Sequence, residues 1–337
     1  HLCITDVWKR GKNNHMNSMG KYILKRLLLM VFTAAIIMTM LFIFVKLLPD
    51  PITAVPGSDS YKSEYAWRTS LGYYEPLLVQ YGIYLKNLFT TGSFGVGFKM
   101  YRFQSVTDVF FSKMAPTMYV NFFSLLLAIP LGLGFGIFAA LKKNKWQDQV
   151  ISVLVMIAIS VPSFVYAFLL QYLLCYMGDL PLVVSNATTF AQLFTWTSFR
   201  SYIAPILCLS LGTIAGLTRF TRAELTEVLT SDFMLLARAK GLTRGQATTR
   251  HALRNAMVPI FPMIMGEFIS IIGGSLIIEQ FFSIPGVGAL YLASINEVDY
   301  NFFMFLSMFY VVIGLLSGLV IDLSYGVVDP RIRMGAK

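Results

Sequence analysis

Apolar residues run along this chain in blocks too long for the interior of a soluble fold. A helix needs about 20 mostly apolar residues to cross a hydrocarbon layer. Six blocks reach that length: residues 22–48, 117–141, 150–177, 202–220, 257–278 and 302–325. The first stops at Pro49-Asp50-Pro51, where proline forbids continuation of the helix. The pattern predicts an all-α polytopic membrane protein with six transmembrane helices and a long loop region, residues 49–116, after the first. Within that loop, LGYYEPLLVQYGIYLKNLFTTGSFG reads as a short amphipathic helix ending near Gly92. In the second block, Gly132, Gly134 and Gly136 are spaced for close helix packing. Pro130 and Pro162 are expected to kink their spans.

Composition agrees with a membrane setting. The chain is 56% hydrophobic and 13% charged, against roughly a quarter charged in soluble domains. Its net charge of +10 sits in the connections between apolar blocks, not on a soluble face. That excludes a nucleic-acid-binding reading. Lys9, Arg10, Lys12, Lys21, Lys25 and Arg26 precede the first block, and Lys142, Lys143 and Lys145 follow the second. Arg219, Arg222, Arg238, Lys240, Arg244, Arg250 and Arg254 lie between the fourth and fifth, and Arg331, Arg333 and Lys337 in the tail. The short loops on the other side hold only Arg200. Cytoplasmic loops retain Lys and Arg, so both termini are expected inside.

The organisation that follows is a cytoplasmic segment at 1–21, a first span at 22–48 and an extracytoplasmic region at 49–116. A five-helix core at 117–325 contains the cytoplasmic loop 219–256, and a tail occupies 326–337. Met16 or Met19 is the expected start, with residues 1–15 either foreign or upstream sequence, and no cleavable signal peptide is expected. Cys3, Cys175 and Cys208 have neither disulfide-framework nor zinc spacing, so no metal site is expected. No H-E-x-x-H, G-x-S-x-G or paired carboxylates are present, so no catalytic residues are expected.

The loop between the fourth and fifth blocks has its own punctuation. Ser231 or Asp232 can cap a helix through FMLLARAK. Gly241 stands where a helix ends in a left-handed residue. Thr243 and Gln246 then form a capping-box pattern that opens a second helix through ATTRHALRNAM into the fifth block. The first helix could lie on lipid or fill a groove in a partner protein. A helix pair with fixed ends suits force transmission better than anchoring, because the spans already hold the chain.

The stretch TSDFMLLARAKGLTRGQATTRHALRNAMVP resembles the cytoplasmic signature loop of bacterial ABC-importer permeases. It is most similar to the B-type permease subunit of the oligopeptide, dipeptide and nickel uptake systems, and within these to that of oligopeptides. Importers in general carry an E-A-A triplet at a fixed distance before a glycine, and I-x-L-P after it. Aligned on Gly241, the triplet falls on Leu235, Leu236 and Ala237, and the later positions on His251, Leu253 and Arg254. Only Ala237, Gly241 and Leu253 keep the general pattern; the departures follow the peptide-permease variant. PLLVQYGIYLKNLFTTGSFG, ALKKNKWQDQ, SVPSF and YGVVDPRIR also resemble segments of that family, and the likeness extends over residues 19–333.

The resemblance implies a type I importer permease fold in a bacterial plasma membrane. Residues 231–241 would be the coupling helix, docked in the cleft of a separate ATPase through Asp232, Phe233, Leu236, Ala237, Arg238, Lys240, Gly241 and Arg244. The chain has no G-x-x-x-x-G-K-[ST] loop, so ATP and Mg would belong to the ATPase subunits and this chain would bind no cofactor. The implied partners are a second, homologous permease, two ATPase subunits, an extracytoplasmic peptide-binding protein and the bilayer. The implied cargo is oligopeptide, with dipeptides, glutathione or nickel chelates as alternatives. An ion-coupled secondary transporter would favour more intramembrane carboxylates than this chain offers. Met156, Ser160, Ser163, Glu267, Ser270 and Ser275 are the candidates for the translocation path, and Glu279 falls close to the outer rim.

Overall fold

The computed structural model describes the backbone of residues 2–49, 52 and 56–328, with side chains from Gly20 onward other than Val327. Most of the expected tail, with Arg331, Arg333 and Lys337, lies outside the described residues, as do Asp50 and Pro51. The regular elements are helices, and two isolated bridges join Val96 to Ser105 and Gly97 to Arg102. The chain forms two compact units, one of His1–Thr107 with Glu297–Leu315, the other of Asp108–Asn296 with Leu316–Ile332.

In the first unit, α1 (Leu2–Lys46) carries an apolar span over Gly20–Leu47. Helix α2 (Asp59–Ser70) starts where the Ser58 hydroxyl accepts the Tyr61 N–H, 3.1 Å away. It buries an Arg68–Glu64 ion pair of 2.6 Å, one helical turn apart. The amphipathic helix expected before Gly92 is α3 (Leu77–Thr91), and Gly92 ends it at φ 64° as a left-handed cap. Phe42 and Val45 of α1 pack with Tyr81 and Tyr84 of α3 and with Met304. The loop after α3 is held by Asp299, buried, one of whose carboxylate oxygens accepts the N–H groups of Phe98, Lys99 and Met100 at 2.8, 2.9 and 3.1 Å.

The second unit holds most of the remaining helices, and α14 is divided between the two. The second span, α4 (Val106–Leu141), begins before its expected start at residue 117. The third span is not one helix: α5 (Trp146–Ser160) and α6 (Ser163–Leu170), the latter extended by a π turn to Tyr176, meet at a bend of 103°. Pro162 disfavours helical backbone at Val161, which is extended at φ −78°, ψ 126°. After the short α7 (Phe190–Leu193) comes the fourth span, α8 (Trp196–Leu229). Two short helices, α9 (Asp232–Ala239) and α10 (Arg244–Ala247), precede a π turn at Thr248–Ala252 and the fifth span, α11 (Leu253–Gly273). That span ends before the expected residue 278, because Gly274 takes φ 70°, ψ −178°, a conformation open essentially to glycine alone. Helices α12 (Leu276–Phe281) and α13 (Val287–Asn296) follow, and α14 (Tyr300–Val328) supplies the sixth span. Five helices are long and apolar enough to cross a membrane among the described residues, and the bent pair makes six.

The packing expected of the glycine run divides by helix face. A Cβ on Gly132 would meet Leu217 of α8 at 2.7 Å, and one on Gly136 would meet Thr221 at 2.6 Å, whereas Gly134 has open space. The Thr218 hydroxyl donates to the Gly132 carbonyl at 3.2 Å across this contact. The largest core gathers Tyr119 and Val120 of α4, Ala167 of α6, Tyr202 and Cys208 of α8, and Ile278, Phe282 and Ile284 around α12.

Candidate functional site: the loop between the fourth and fifth spans and the span interior

Helix α9 is set between two stops. Ser231 is extended at its N-cap, but its hydroxyl donates to the Val228 carbonyl at 2.6 Å instead of capping. Asp232 is the first helical residue, where a carboxylate favours the positive end of the helix dipole. At the other end Gly241 has φ 91°. The Thr243–Gln246 box forms in both directions: Gln246 N–H donates to Thr243 Oγ1 at 3.3 Å, and Thr243 N–H to Gln246 Oε1 at 3.1 Å. The expected second helix is α10, and it enters α11 through the π turn.

Two sides of α9 have opposite surroundings. Met234 and Ala237, three residues apart, are 5% and 8% exposed and pack with Ala140, Leu225, Ala247, Ala252 and Ala256. Leu235 and Leu236 are 63% and 58% exposed, and Phe233 is also turned out. The small alanines let four helices approach one another closely beneath α9, and the outward leucines are left uncovered. Asp232, Arg238, Lys240, Gly241 and Arg244 are exposed as well. Ala237, expected among the docking contacts, is the exception: it faces inward and holds α9 to its support.

The path candidates are spread over several elements. Met156 and Ser160 are exposed on α5, and Ser163 opens α6 just past the bend. Glu267 is half-buried on α11. Ser270 donates to the Glu267 carbonyl at 2.6 Å, so its hydroxyl is bonded within its own helix. Ser275 caps α12, its hydroxyl accepting the Ile278 N–H at 3.5 Å.

Two polar sites lie outside the candidate site residues, although Glu279 falls near the outer rim and Arg222 among the basic residues of the loop. At the first, Glu279 is fully buried. Its carboxylate accepts the Gly288 N–H at 2.7 Å, the Ala289 N–H at 3.3 Å and the Thr117 hydroxyl at 3.0 Å, while Thr117 Oγ1 accepts the Val287 N–H at 2.8 Å. The first three amides of α13 are thus satisfied by α12 and α4. Gly274, Gly286 and Gly288 line this cage: a Cβ on either of the first two would run into Glu279, and one on Gly288 would sit tightly against it at 3.0 Å. At the second, Arg222 of α8 donates to both carboxylate oxygens of Asp148 on α5, with Nη2–Oδ2 at 2.8 Å. Asp148 also accepts the N–H of Asn144, itself left-handed at φ 65°, at 3.0 Å. The signal for the first was the glycine-rich SIPGVG beside a lone acid; the second had none, its partners being 74 residues apart.

Known sequences supply the frame for this geometry. The sequence profile of the family described as "Binding-protein-dependent transport system inner membrane component" matches residues 132–334. The dipeptide transport system permease protein DppB of Lactococcus lactis subsp. cremoris (strain MG1363) is 36% identical over 94% of this chain and its own full length. DppB of Bacillus subtilis (strain 168) is 33% identical over 95% of this chain and 100% of itself. The glutathione transport system permease protein GsiC of Shigella flexneri serotype 5b (strain 8401) is 34% identical over 94% of this chain and 99% of its own. The chain therefore belongs to the inner-membrane permeases of binding-protein-dependent ABC importers.

Proposed function

We propose that this chain is the permease subunit through which an ATP-driven importer moves peptides into a bacterial cytoplasm, and that α9 is the helix by which a separate ATPase drives it. The observation that carries this reading is the two-sided α9: rooted in an alanine core, set between the extended Ser231 and the left-handed Gly241, and presenting Phe233, Leu235 and Leu236 flanked by Asp232, Arg238, Lys240 and Arg244. An apolar ridge rimmed by charge suits a protein cleft, and a helix fixed at both ends transmits displacement without fraying. With no phosphate-binding loop of its own, the chain leaves ATP and Mg to two ATPase subunits and catalyses nothing itself. The second permease and an extracytoplasmic binding protein complete the assembly, with the path between the permeases. The weight of Lys and Arg in the loop bearing α9 supports both termini inside and residues 49–116 outside.

Relatives named for dipeptide and glutathione transport support peptide as the cargo class, of which oligopeptides are the longer members. Met156, Ser160 and Glu267 are the path residues we retain first, because Ser270 and Ser275 are bonded within their own helices. The test is a cysteine at Leu236 or Arg238, in a chain cleared of its native cysteines, paired with one in the ATPase cleft. A crosslink whose yield changes with ATP supports the coupling role. An inserted, folded chain that gives no crosslink from any α9 position and brings down no ATPase refutes it, and leaves the lipid-lying or ion-driven alternative.

A further inference from the structure

One turn of α8 holds three other elements. Thr221 meets Gly136 of α4 so closely that a Cβ there would lie 2.6 Å from the threonine Cβ. The next residue, Arg222, grips Asp148 of α5 through both carboxylate oxygens. Leu225, three residues on, is fully buried in the alanine core that supports α9, together with Ala140 at the inner end of α4. The connection from α4 to α5 is therefore fixed at both ends, by Ala140 before it and by Asp148 after it. Asp148 additionally ties down the left-handed Asn144 inside that connection.

Helix α5 is built as an arm. Its described packing is chiefly against α8, while Val153, Leu154, Met156, Ile157 and Ile159 stay exposed. Its far end is the break at Val161-Pro162, where no helical hydrogen bond from Pro162 resists bending. A rigid rod clamped at one end and hinged at the other moves its hinge end when the clamp moves. Met156 and Ser160 lie on that rod.

We propose that the α8 turn Thr221–Leu225 is the joint that converts displacement of α9 into displacement of α5, with Asp148 and Arg222 as its positioning pair. This rests on the coupling role given to α9. A bidentate Arg–carboxylate fork fixes orientation as well as distance, which a single point charge does not. Asp148→Asn abolishes the ion pair at nearly constant volume. Arg222→Lys keeps the charge and removes the fork.

The experiment uses the whole transporter, both permeases co-expressed with the ATPase subunits and reconstituted in vesicles with the binding protein on the substrate side. ATP hydrolysis and uptake of a labelled dipeptide are followed together. Both variants are expected to assemble, to hydrolyse ATP within about twofold of the parent, and to lower dipeptide moved per ATP by about tenfold, the scale of a typical coupling between sites. A merely structural role lowers assembly and both rates together and leaves that ratio in place. A third variant joins Asp148→Cys with Arg222→Cys in a chain cleared of native cysteines. A short bifunctional thiol reagent bridging the pair restores the ratio, and its monofunctional analogue does not. An unchanged ratio in Arg222→Lys, or a loss that bridging leaves unrepaired, overturns the proposal. A parent complex that contains no ATPase fails before any substitution is scored; that outcome refutes the coupling reading and takes this inference down with it.

Discussion

Removing the Glu279 carboxylate tests whether the α12–α13 corner is held by one buried acid. In Glu279→Ala, the N–H groups of Gly288 and Ala289 lose their acceptor and the Thr117 hydroxyl loses its own. Each buried amide left unpaired costs about 1–3 kcal/mol. Relief of the desolvation of a buried carboxylate offsets part of that. The net is about 3 kcal/mol against closure of the corner, which at about 1.4 kcal/mol per decade raises its open population about 100-fold. The chain contains its own reporter. Cys208 is 1% exposed in the core that includes Ile278, Phe282 and Ile284, so opening of α12 uncovers its thiol. With Cys3 and Cys175 replaced, maleimide labelling of Cys208 in native membranes follows the open population as long as reclosing outpaces labelling. Glu279→Gln keeps a carbonyl for the two amides, so labelling rises about tenfold, one decade for the weaker, uncharged acceptor. Labelling of Glu279→Ala within about twofold of the parent refutes the latch, because a loss of three hydrogen bonds to the carboxylate that leaves closure intact means the corner is held elsewhere.

Four further outcomes follow from local geometry. Gly136→Leu overpacks the α4–α8 seam and lowers stability by about 1–3 kcal/mol, read as a lower melting temperature of the isolated chain in micelles. Gly134→Leu, on the face with open space, leaves melting unchanged or slightly higher. Thr243→Ala removes the box that starts α10 and costs about 1 kcal/mol, seen as roughly fivefold faster amide exchange over residues 243–247 with other segments unchanged. Asp299→Ala strands the amides of Phe98, Lys99 and Met100, so exchange there accelerates about tenfold or more and protease cuts appear between Gly97 and Phe103.

What the sequence revealed depended on the range over which each feature is encoded. The spans were legible because a hydrocarbon solvent imposes length and composition on each helix separately. The start of α10 was legible because Thr243 and Gln246 act over three residues, whereas the cap expected of Ser231 at α9 gave way to its bond with the Val228 carbonyl. Which side of α9 faces in was not, since residues 233–237 are all apolar and offer no stripe; the alanine core contributed by distant helices selects Met234 and Ala237. Pro162 signalled a kink, but the 103° bend also needs Val161 extended and a helix restarting at Ser163. Gly274 ended the fifth span early because its backbone angles, and not its hydropathy, decide the matter.

The charged pairs were the least legible, and for a reason that bears on function. An acid within or beside an apolar block reads as a transport or proton site by default. Glu279 instead spends its charge on two amides of α13 and the Thr117 hydroxyl, and Asp148 spends its charge on Arg222 and the Asn144 amide. In both, a carboxylate ties together elements that are remote in sequence, Thr117 and Glu279 in one case and Asp148 and Arg222 in the other, and adds direction that apolar packing alone does not supply. A permease for varied peptides has reason to place charge this way: a charge in the path would hold some cargoes and repel others, whereas a charge within the scaffold fixes which helices move together. On this argument Glu267, half-buried on α11, is the residue to separate the two uses. If it lines the path, Glu267→Gln alters the relative uptake of basic and acidic dipeptides at constant ATP hydrolysis, while a scaffold acid lowers all uptake in the same proportion. Competition among dipeptides of opposite charge in reconstituted vesicles distinguishes the cases, and a preference unchanged by the substitution removes Glu267 from the path.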